Sequence, residues 1–403
     1  MAATTVSDVP DVVSKTISRV AEAEGFKKPS FQVDPGSNPG DGYTSLLYRV
    51  TIREENNAGC CLPPRSGKRD DLVLMVKVPH PGTANAFLAQ TFVAESTMYK
   101  SIIPAMEGTG GIEGSLPWPR CFFASSNGAE TALVFEDLRL KGFGMKDRRV
   151  AMDAAHCRLA LSQMAKFHGA GIALQHLKPD TFKTLADKLG NPFSSPEVQA
   201  MFSQMSEMVA QTVAIVAEKY PEGTVVYTKL LQMLQSYGAE NMKMLAATPE
   251  PAPGIAIVHG DCHVNNFMFS YDQTSGDVTA CQLIDFQMSR AGPTALDLAS
   301  LLLPCTEKAM RDEHWEDLLR GYHAELQSVL RTAGCKDPDA VYSWTHLMDC
   351  LKKVAPHGFM IAPVLLHAQF ADKEAADELR DALQDLGKED APLRPSTSEA
   401  PMS

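Results

Sequence analysis

The sequence has no surplus of basic residues: 37 Lys and Arg stand against 49 Asp and Glu, a formal net charge of -12. Sequence-independent nucleic-acid binding needs a cationic surplus to displace phosphate counterions, so the charge argues against that class and any phosphate site must be local. No window reaches about 18 uninterrupted apolar residues, which argues against a membrane-spanning helix. The opening MAATTVSDVPDVV lacks a basic start followed by an apolar run, so no secretory leader is expected. Cysteine is scattered: nine residues, an odd count, without C-x-x-C and with only Cys60 and Cys61 adjacent. Neither a disulfide framework nor a zinc ribbon is indicated, and reduced thiols in a cytoplasmic protein are the expectation. A Walker A loop is missing too, since PRSGKRD lacks the upstream glycine and the Ser/Thr after Lys68. No internal repeat is visible.

What remains is the composition of a globular enzyme, 44% hydrophobic and 21% charged over 403 residues, long enough for two packed units. Apolar spacing predicts a leading helix over Val6–Glu24, capped by Ser7 or Asp8. A glycine-rich turn, Pro35–Gly42, feeds the strand YTSLLYRVTI, and after a polar loop DLVLMVKVPH reads as an apolar strand interrupted by Lys77. A helix over Ala84–Met106 is expected to stop at Pro104, followed by strands near Cys121–Ser125 and Thr131–Phe135. Long helical patterns then take over at Asp153–Leu174, Pro196–Tyr220 and Thr224–Ala247. Within them sits a β-rich insert, IAIVHG, NNFMFSY and VTACQLIDF, with a turn at Asp272–Asp277. Helices resume near Thr294 and continue to about Leu386. The divisions expected are an N-terminal unit over 1–138, a mainly helical unit over 139–387, and a disordered Pro/Ser-rich tail over 388–403.

Chemistry concentrates in the insert. VHGDCHVNNFMF sets Asp261 five residues before Asn266, and LIDFQ ends an apolar strand on Asp285. Phosphoryl transfer needs a carboxylate to orient the attacking hydroxyl and hard oxygen donors for Mg²⁺ on the nucleotide phosphates. Asp261 suits the first task, Asn266 and Asp285 the second. The plain alternative for Asp285 is a cap on the following turn. A lysine inside LVLMVKV is costly to bury without an anion beside it, and Glu95 and a phosphate are both candidates. The plain alternatives are an edge-strand lysine reaching out to solvent and a solvated Glu95.

The order H-G-D-x-x-x-x-N before a strand ending in Asp-Phe resembles the catalytic and metal-binding loops of choline kinases, aminoglycoside phosphotransferases and protein kinases. GDGYTSLLYRV, FVAESTMYKSIIP, LVFEDL, QMAKFHGA, VHGDCHVNNFMF and LIDFQMSRAGPTALDLASLL together resemble the ecdysteroid kinase-like family over about residues 35–325. The resemblance implies an α+β, two-lobed protein-kinase-like fold with an antiparallel sheet plus helix in one lobe and a mainly helical second lobe. It implies ATP in the cleft, with Lys77 on the phosphates and Glu95 as its ion-pair partner. Tyr43, Thr44 and Ser45 match the phosphate lid, and Glu136, Asp137 and Leu138 the hinge that reads adenine. Asp261, Asn266 and Asp285 form the catalytic set, with Asn266 and Asp285 on Mg²⁺. His259 and Asp297 are implied as braces of the catalytic loop. Gln287, where protein kinases have glycine, speaks against protein substrates. The acceptor implied is a small-molecule alcohol, an ecdysteroid-like steroid or a xenobiotic.

Three other readings stand beside it. A choline- or aminoglycoside-type kinase would need a cage for a cation, for which Trp315, Tyr322 and Trp344 are available, though such residues are commonly core. A pseudokinase would bind nucleotide without turnover. A metal-dependent hydrolase could use His259, Asp261 and His263 if a strand presented them on one face. His156, His168 and His176 lie on a predicted helix whose apolar face accounts for them. Oligomeric state is not legible.

Overall fold

The computed structural model of the protein describes residues 9–37, 45–55, 70–80, 86–112, 117–196, 198, 220–247 and 249–370. It opens with α1 (Asp11–Ala23), which buries Val13, Ile17, Val20 and Ala21 along one stripe. This helix starts behind Pro10, and the expected caps Ser7 and Asp8 lie outside the described residues.

Strands β1 (Pro29–Pro35), β2 (Ser45–Glu54) and β3 (Leu72–Pro79) follow. Next come α2 (Ala86–Thr97), a π turn (Met98–Ile102) and α3 (Ile103–Glu107). Pro104 therefore does not end the helical stretch, contrary to expectation. A proline clashes with the carbonyl four residues back in a regular α-helix, and the wider π turn placed directly before it removes that conflict. With β4 (Cys121–Ser125) and β5 (Ala132–Glu136), the strands form one antiparallel sheet in the order β1-β2-β3-β5-β4. Strand β1 is missing from the sequence reading; it pairs with β2 through Phe31↔Ile52 and Val33↔Val50.

After a 3-10 turn (Leu138–Lys141) and the short β6 (Phe143–Met145) come α4 (Ala154–Leu177), capped by Asp153, and α5 (Pro179–Leu189). The helix expected over Pro196–Tyr220 lies almost wholly outside the described residues. Helix α6 (Val225–Ala246) begins behind Thr224, whose hydroxyl accepts from the Tyr227 N–H. The insert follows: β7 (Ile255–Val258), β8 (Phe267–Tyr271), β9 (Val278–Leu283) and β10 (Arg290–Pro293). Its strands form a β6-β8-β9 sheet and a β7-β10 pair. Helices α7 (Ala295–Leu302), α8 (Lys308–Thr332), α9 (Pro338–Val341) and α10 (Trp344–Phe370) close the described chain. Among the described residues no helix is long and apolar enough to cross a membrane.

Apolar burial divides into two clusters. The smaller packs α1 against the sheet through Val13, Ile17, Val50, Ile52, Leu74, Val76 and Val134. The larger is built on α4, α7, α8 and the insert, and it takes in Ala94, Met98, Tyr99 and Ile102 from the α2–π segment. The helix carrying Glu95 is thus anchored in the larger cluster while facing the sheet of the smaller one.

Candidate active site

Lys77 lies on β3, the middle strand of the sheet. The two-residue repeat sends Leu74, Val76 and Val78 into the apolar side under α1 and turns Lys77 to the other face, beneath α2. There Nζ donates to Glu95 Oε2 at 2.6 Å and to Asp285 Oδ1 at 2.8 Å, and it sits 5.9 Å from the centre of the Phe92 ring. Burial opposes the ammonium charge, but Asp285 and Glu95 outweigh that penalty and hold Lys77 above its ordinary value. Burial also pushes the Glu95 carboxyl up, against the pull of Lys77. Glu95 additionally accepts from the Phe286 backbone N–H, which ties α2 to the turn that presents Asp285.

That turn is strained. Asp285 has φ 66°, the one positive value at a non-glycine residue among those described, in the left-handed region where aspartate and asparagine are tolerated better than most side chains. The residue before it is fastened through both its main-chain polar groups: the Ile284 N–H donates to the Asn266 carbonyl at 3.0 Å, and the Ile284 carbonyl accepts from His259 Nε2 at 2.9 Å. A carbonyl only accepts, so Nε2 carries the hydrogen. Behind Asp285, Phe286 packs edge-on or tilted against Tyr99, Trp118, Phe167 and His259.

The loop from His259 to His263 leaves β7 and enters a 3-10 turn, Val264–Asn266. Asp297, buried at the start of α7, anchors it: its carboxylate accepts from the His259 N–H at 2.7 Å and the Gly260 N–H at 2.9 Å. The same carboxylate is 3.0 Å from His168 Nε2, and His168 Nδ1 meets the Tyr322 hydroxyl at 2.8 Å. Gly260 has φ 83°, and a Cβ there would stand 2.1 Å from the Met288 carbonyl and 2.5 Å from the Arg290 guanidinium. Glycine is required at 260 by backbone and by space alike.

Asp261 extends from this loop. Asn266 Nδ2 donates to its carbonyl at 2.7 Å and to its Oδ2 at 3.2 Å, and His263 Nε2 lies 3.5 Å from Oδ1. Burial works against ionisation, yet His263, His259 and Asn266 more than offset it and hold Asp261 down at about 2.

The structure brings Lys77, Glu95, Asp261, Asn266 and Asp285 into one connected network. Ser45 is buried at the first position of β2, opposite Pro79, while Tyr43, Thr44 and glycines 40 and 42 lie outside the described residues. Glu136 ends β5; its carboxylate accepts from the Arg120 N–H and pairs with Lys141. The Asp137 carboxylate is committed internally, to Arg49 Nε and Arg139 Nε at 2.7 Å each, and its carbonyl accepts from the Leu140 N–H. Leu138 is buried.

Two side chains beside the site lie outside the expected set. The Arg290 guanidinium is buried 4.6 Å over the Phe193 ring, with Nη1 donating to the Met288 carbonyl at 3.3 Å. Among the described residues no carboxylate comes within 4.0 Å of it, and burial pulls its pKa down to about 10. A lone arginine in MSRAG carried no pattern that could flag it. His263 was visible in the sequence only as a possible zinc ligand. That hydrolase arrangement is corrected by the structure: residues 259–263 form a loop rather than a strand, and His259 Nε2 donates to a carbonyl, which bars that nitrogen from a metal.

A buried lysine paired with a helix glutamate thus stands beside Asp261, Asn266 and Asp285 in a small-molecule kinase of the protein-kinase-like fold, an enzyme that phosphorylates a hydroxyl. The model of the ecdysteroid kinase-like family matches residues 39–335, and the chain belongs to that family. Comparison with curated proteins gives no match. Among solved structures, the GDP complex of an aminoglycoside 2'-phosphotransferase variant is similar at 15% identity and TM-score 0.42, covering 93% of this chain and 97% of its own. An ethanolamine kinase of Plasmodium vivax is similar at 12% identity and TM-score 0.38, covering 89% of this chain and 81% of its own. A microcompartment-associated aminopropanol kinase is similar at 11% identity and TM-score 0.36, covering 92% and 95%. Likenesses this distant transfer no substrate.

Proposed function

We propose that the protein transfers the γ-phosphoryl group of ATP, with Mg²⁺, to a hydroxyl of a neutral, largely apolar small molecule, of the class of an ecdysteroid-like steroid or a xenobiotic alcohol. The observation that carries this reading is Lys77 held between Glu95 and Asp285 at 2.6 and 2.8 Å, joined through Ile284 to the loop that holds Asp261.

The donor set fits the metal. Asp285 spends one carboxylate oxygen on Lys77, and Asn266 spends its amide N–H groups on Asp261. An Asp285 oxygen and the Asn266 amide oxygen are the hard donors that magnesium takes alongside nucleotide phosphates. Asn266 and Asp285 would hold such an ion, which would supply charge neutralisation on the phosphates. Lys77 adds its ammonium to the same task. Asp261, held at about 2, is ionised at neutral pH and too weak a base to strip an alcohol in advance. It orients the hydroxyl and receives the proton as the new P–O bond forms.

A neutral acceptor is favoured over a cationic one because Asp261 already has cationic company: the buried Arg290 guanidinium packs on Gly260, the residue next to it, and its charge acts on Asp261 as well as on Asp297. Of the aromatic residues available for a cation cage, Tyr322 bonds His168, Trp344 already carries Arg320 at 4.5 Å, and Trp315 packs partly buried on the larger apolar cluster. The test is incubation of the protein with Mg·ATP and a library of steroids and phenolic or glycosidic alcohols, read by mass spectrometry for the gain of one phosphoryl group. Wild type should yield a product that Asp261→Asn loses by several orders of magnitude while still binding ATP. Undiminished product from Asp261→Asn refutes the assignment.

A further inference from the structure

Arg290 opens β10 opposite Val258, the last residue of β7, and the loop that carries Asp261 leaves the sheet at that point. Its guanidinium lies against the loop where Gly260 has no side chain, since a Cβ there would stand 2.5 Å from Nη1. It also lies over the ring of Phe193, in the 3-10 turn Pro192–Ser194, at 4.6 Å. A guanidinium carries N–H donors on all three nitrogens, and here a single bond is made, from Nη1 to the Met288 carbonyl at 3.3 Å. Nε and Nη2 have no hydrogen-bond partner among the described residues, and neither is among the buried side-chain atoms that lack one. Both therefore meet open space, and with Arg290 only 2% exposed as a whole that space is narrow.

The charge itself is answered from a distance, by Asp297 and Asp261. His357 on α10 adds nothing to that answer. Its Nδ1 bonds the Asn241 amide oxygen at 3.0 Å, and burial together with the Arg290 charge holds the ring down at about 4, so it is neutral at physiological pH. What the guanidinium lacks is a hydrogen-bond acceptor rather than a counter-charge. An acceptor oxygen without charge fits that need, whereas a carboxylate would face Asp261 and Asp297 as well.

We propose that Arg290 is a specificity-determining residue for the acceptor, with Nε and Nη2 donating to a second oxygen of the alcohol, close to the hydroxyl that is phosphorylated. The inference rests on the phosphotransferase reading above and deepens it: the acceptor is a neutral alcohol with a neighbouring oxygen, a vicinal diol or an α-hydroxyketone. Asp261 takes the reacting hydroxyl, and Arg290 packs on the residue immediately before it, so an oxygen that reaches both belongs to adjoining carbons. Hydrogen bonds from a charged donor are of the stronger kind. A site built to make them rejects the analogue that leaves its donors unpaired. Packing alone would be served equally well by an apolar side chain of the same length.

The experiment takes each alcohol that wild type phosphorylates in the library above and pairs it with the analogue lacking the neighbouring oxygen. The ratio of kcat/KM within each pair is then measured in wild type, Arg290→Met and Arg290→Lys. Wild type should prefer the oxygenated partner by about 100-fold or more. Methionine keeps the length and the contact with Phe193 but no donor, and the preference should shrink to within about 5-fold. Lysine keeps the charge without the fork, and the preference should fall at least about 10-fold. Thermal unfolding verifies folding, and lysine decides the matter should methionine fail to fold. A wild type that phosphorylates only alcohols without such an oxygen, a preference that survives either substitution, or equal losses on both members of a pair overturns the proposal and leaves the phosphotransferase reading standing. If wild type phosphorylates no alcohol, that reading falls and takes this one with it.

Discussion

Lys77 Nζ and Asp285 Oδ1 stand 2.8 Å apart although 208 positions separate them in the chain. The same ammonium bonds Glu95, which is itself buried, so removing it strands two carboxylates in one place. Lys77→Met should therefore destabilise the protein by about 3 kcal/mol in urea unfolding, the penalty typical of an uncompensated buried charge. Adding Glu95→Gln should restore more than half of that loss, while nucleotide affinity stays low in both variants.

Asp297 accepts two backbone N–H bonds from the loop of residues 259–263 and faces His168. Asparagine replaces one accepting oxygen with a donor and leaves a buried N–H unpaired. A loss of roughly 2–4 kcal/mol is expected. Turnover should fall at least about 10-fold with KM for ATP nearly unchanged, because the nucleotide side of the site is untouched. Steady-state kinetics beside chemical denaturation will show it.

Gly260→Ala puts a methyl 2.1 Å from the Met288 carbonyl at a positive φ. Two independent penalties, strain and overlap, place the cost above about 3 kcal/mol. The variant should be recovered unfolded or with a strongly lowered melting temperature; a fold as stable as wild type would contradict the loop geometry.

Asp261 is depressed in the folded state, so its stabilising contribution is complete above its unfolded value near 3.8 and disappears as pH falls through about 2. The stability difference between wild type and Asp261→Asn should shrink by about 1–2 kcal/mol across that window. The lower end of that range allows for the 31% of the side chain that faces solvent. Urea titrations of both proteins between pH 5 and pH 2 measure it.

The five residues that the structure brings together could be picked out because charge stands where folding discourages it: a lysine within LVLMVKV, an aspartate closing QLID. Spacing along the chain then located Asp261 and Asn266. Strand β1 was not legible, since prolines bound it and only Phe31 and Val33 alternate; its identity comes from pairing with β2. The short β6 and β10 have the same cause, being strands by virtue of their neighbours. Helix α5 hid behind Pro179, which occupies a first-turn position where its missing N–H costs nothing. The π turn has no sequence signature, so Pro104 read as a terminator. Arg290 and the partnering of His263 depend on contacts between distant segments, which periodicity does not encode.

Ile284 holds the two working loops together without using its side chain. A rivet made of main-chain atoms is indifferent to chemical identity at its own position. Proline there, having no amide hydrogen, would break the link to Asn266 while leaving the link to His259 in place.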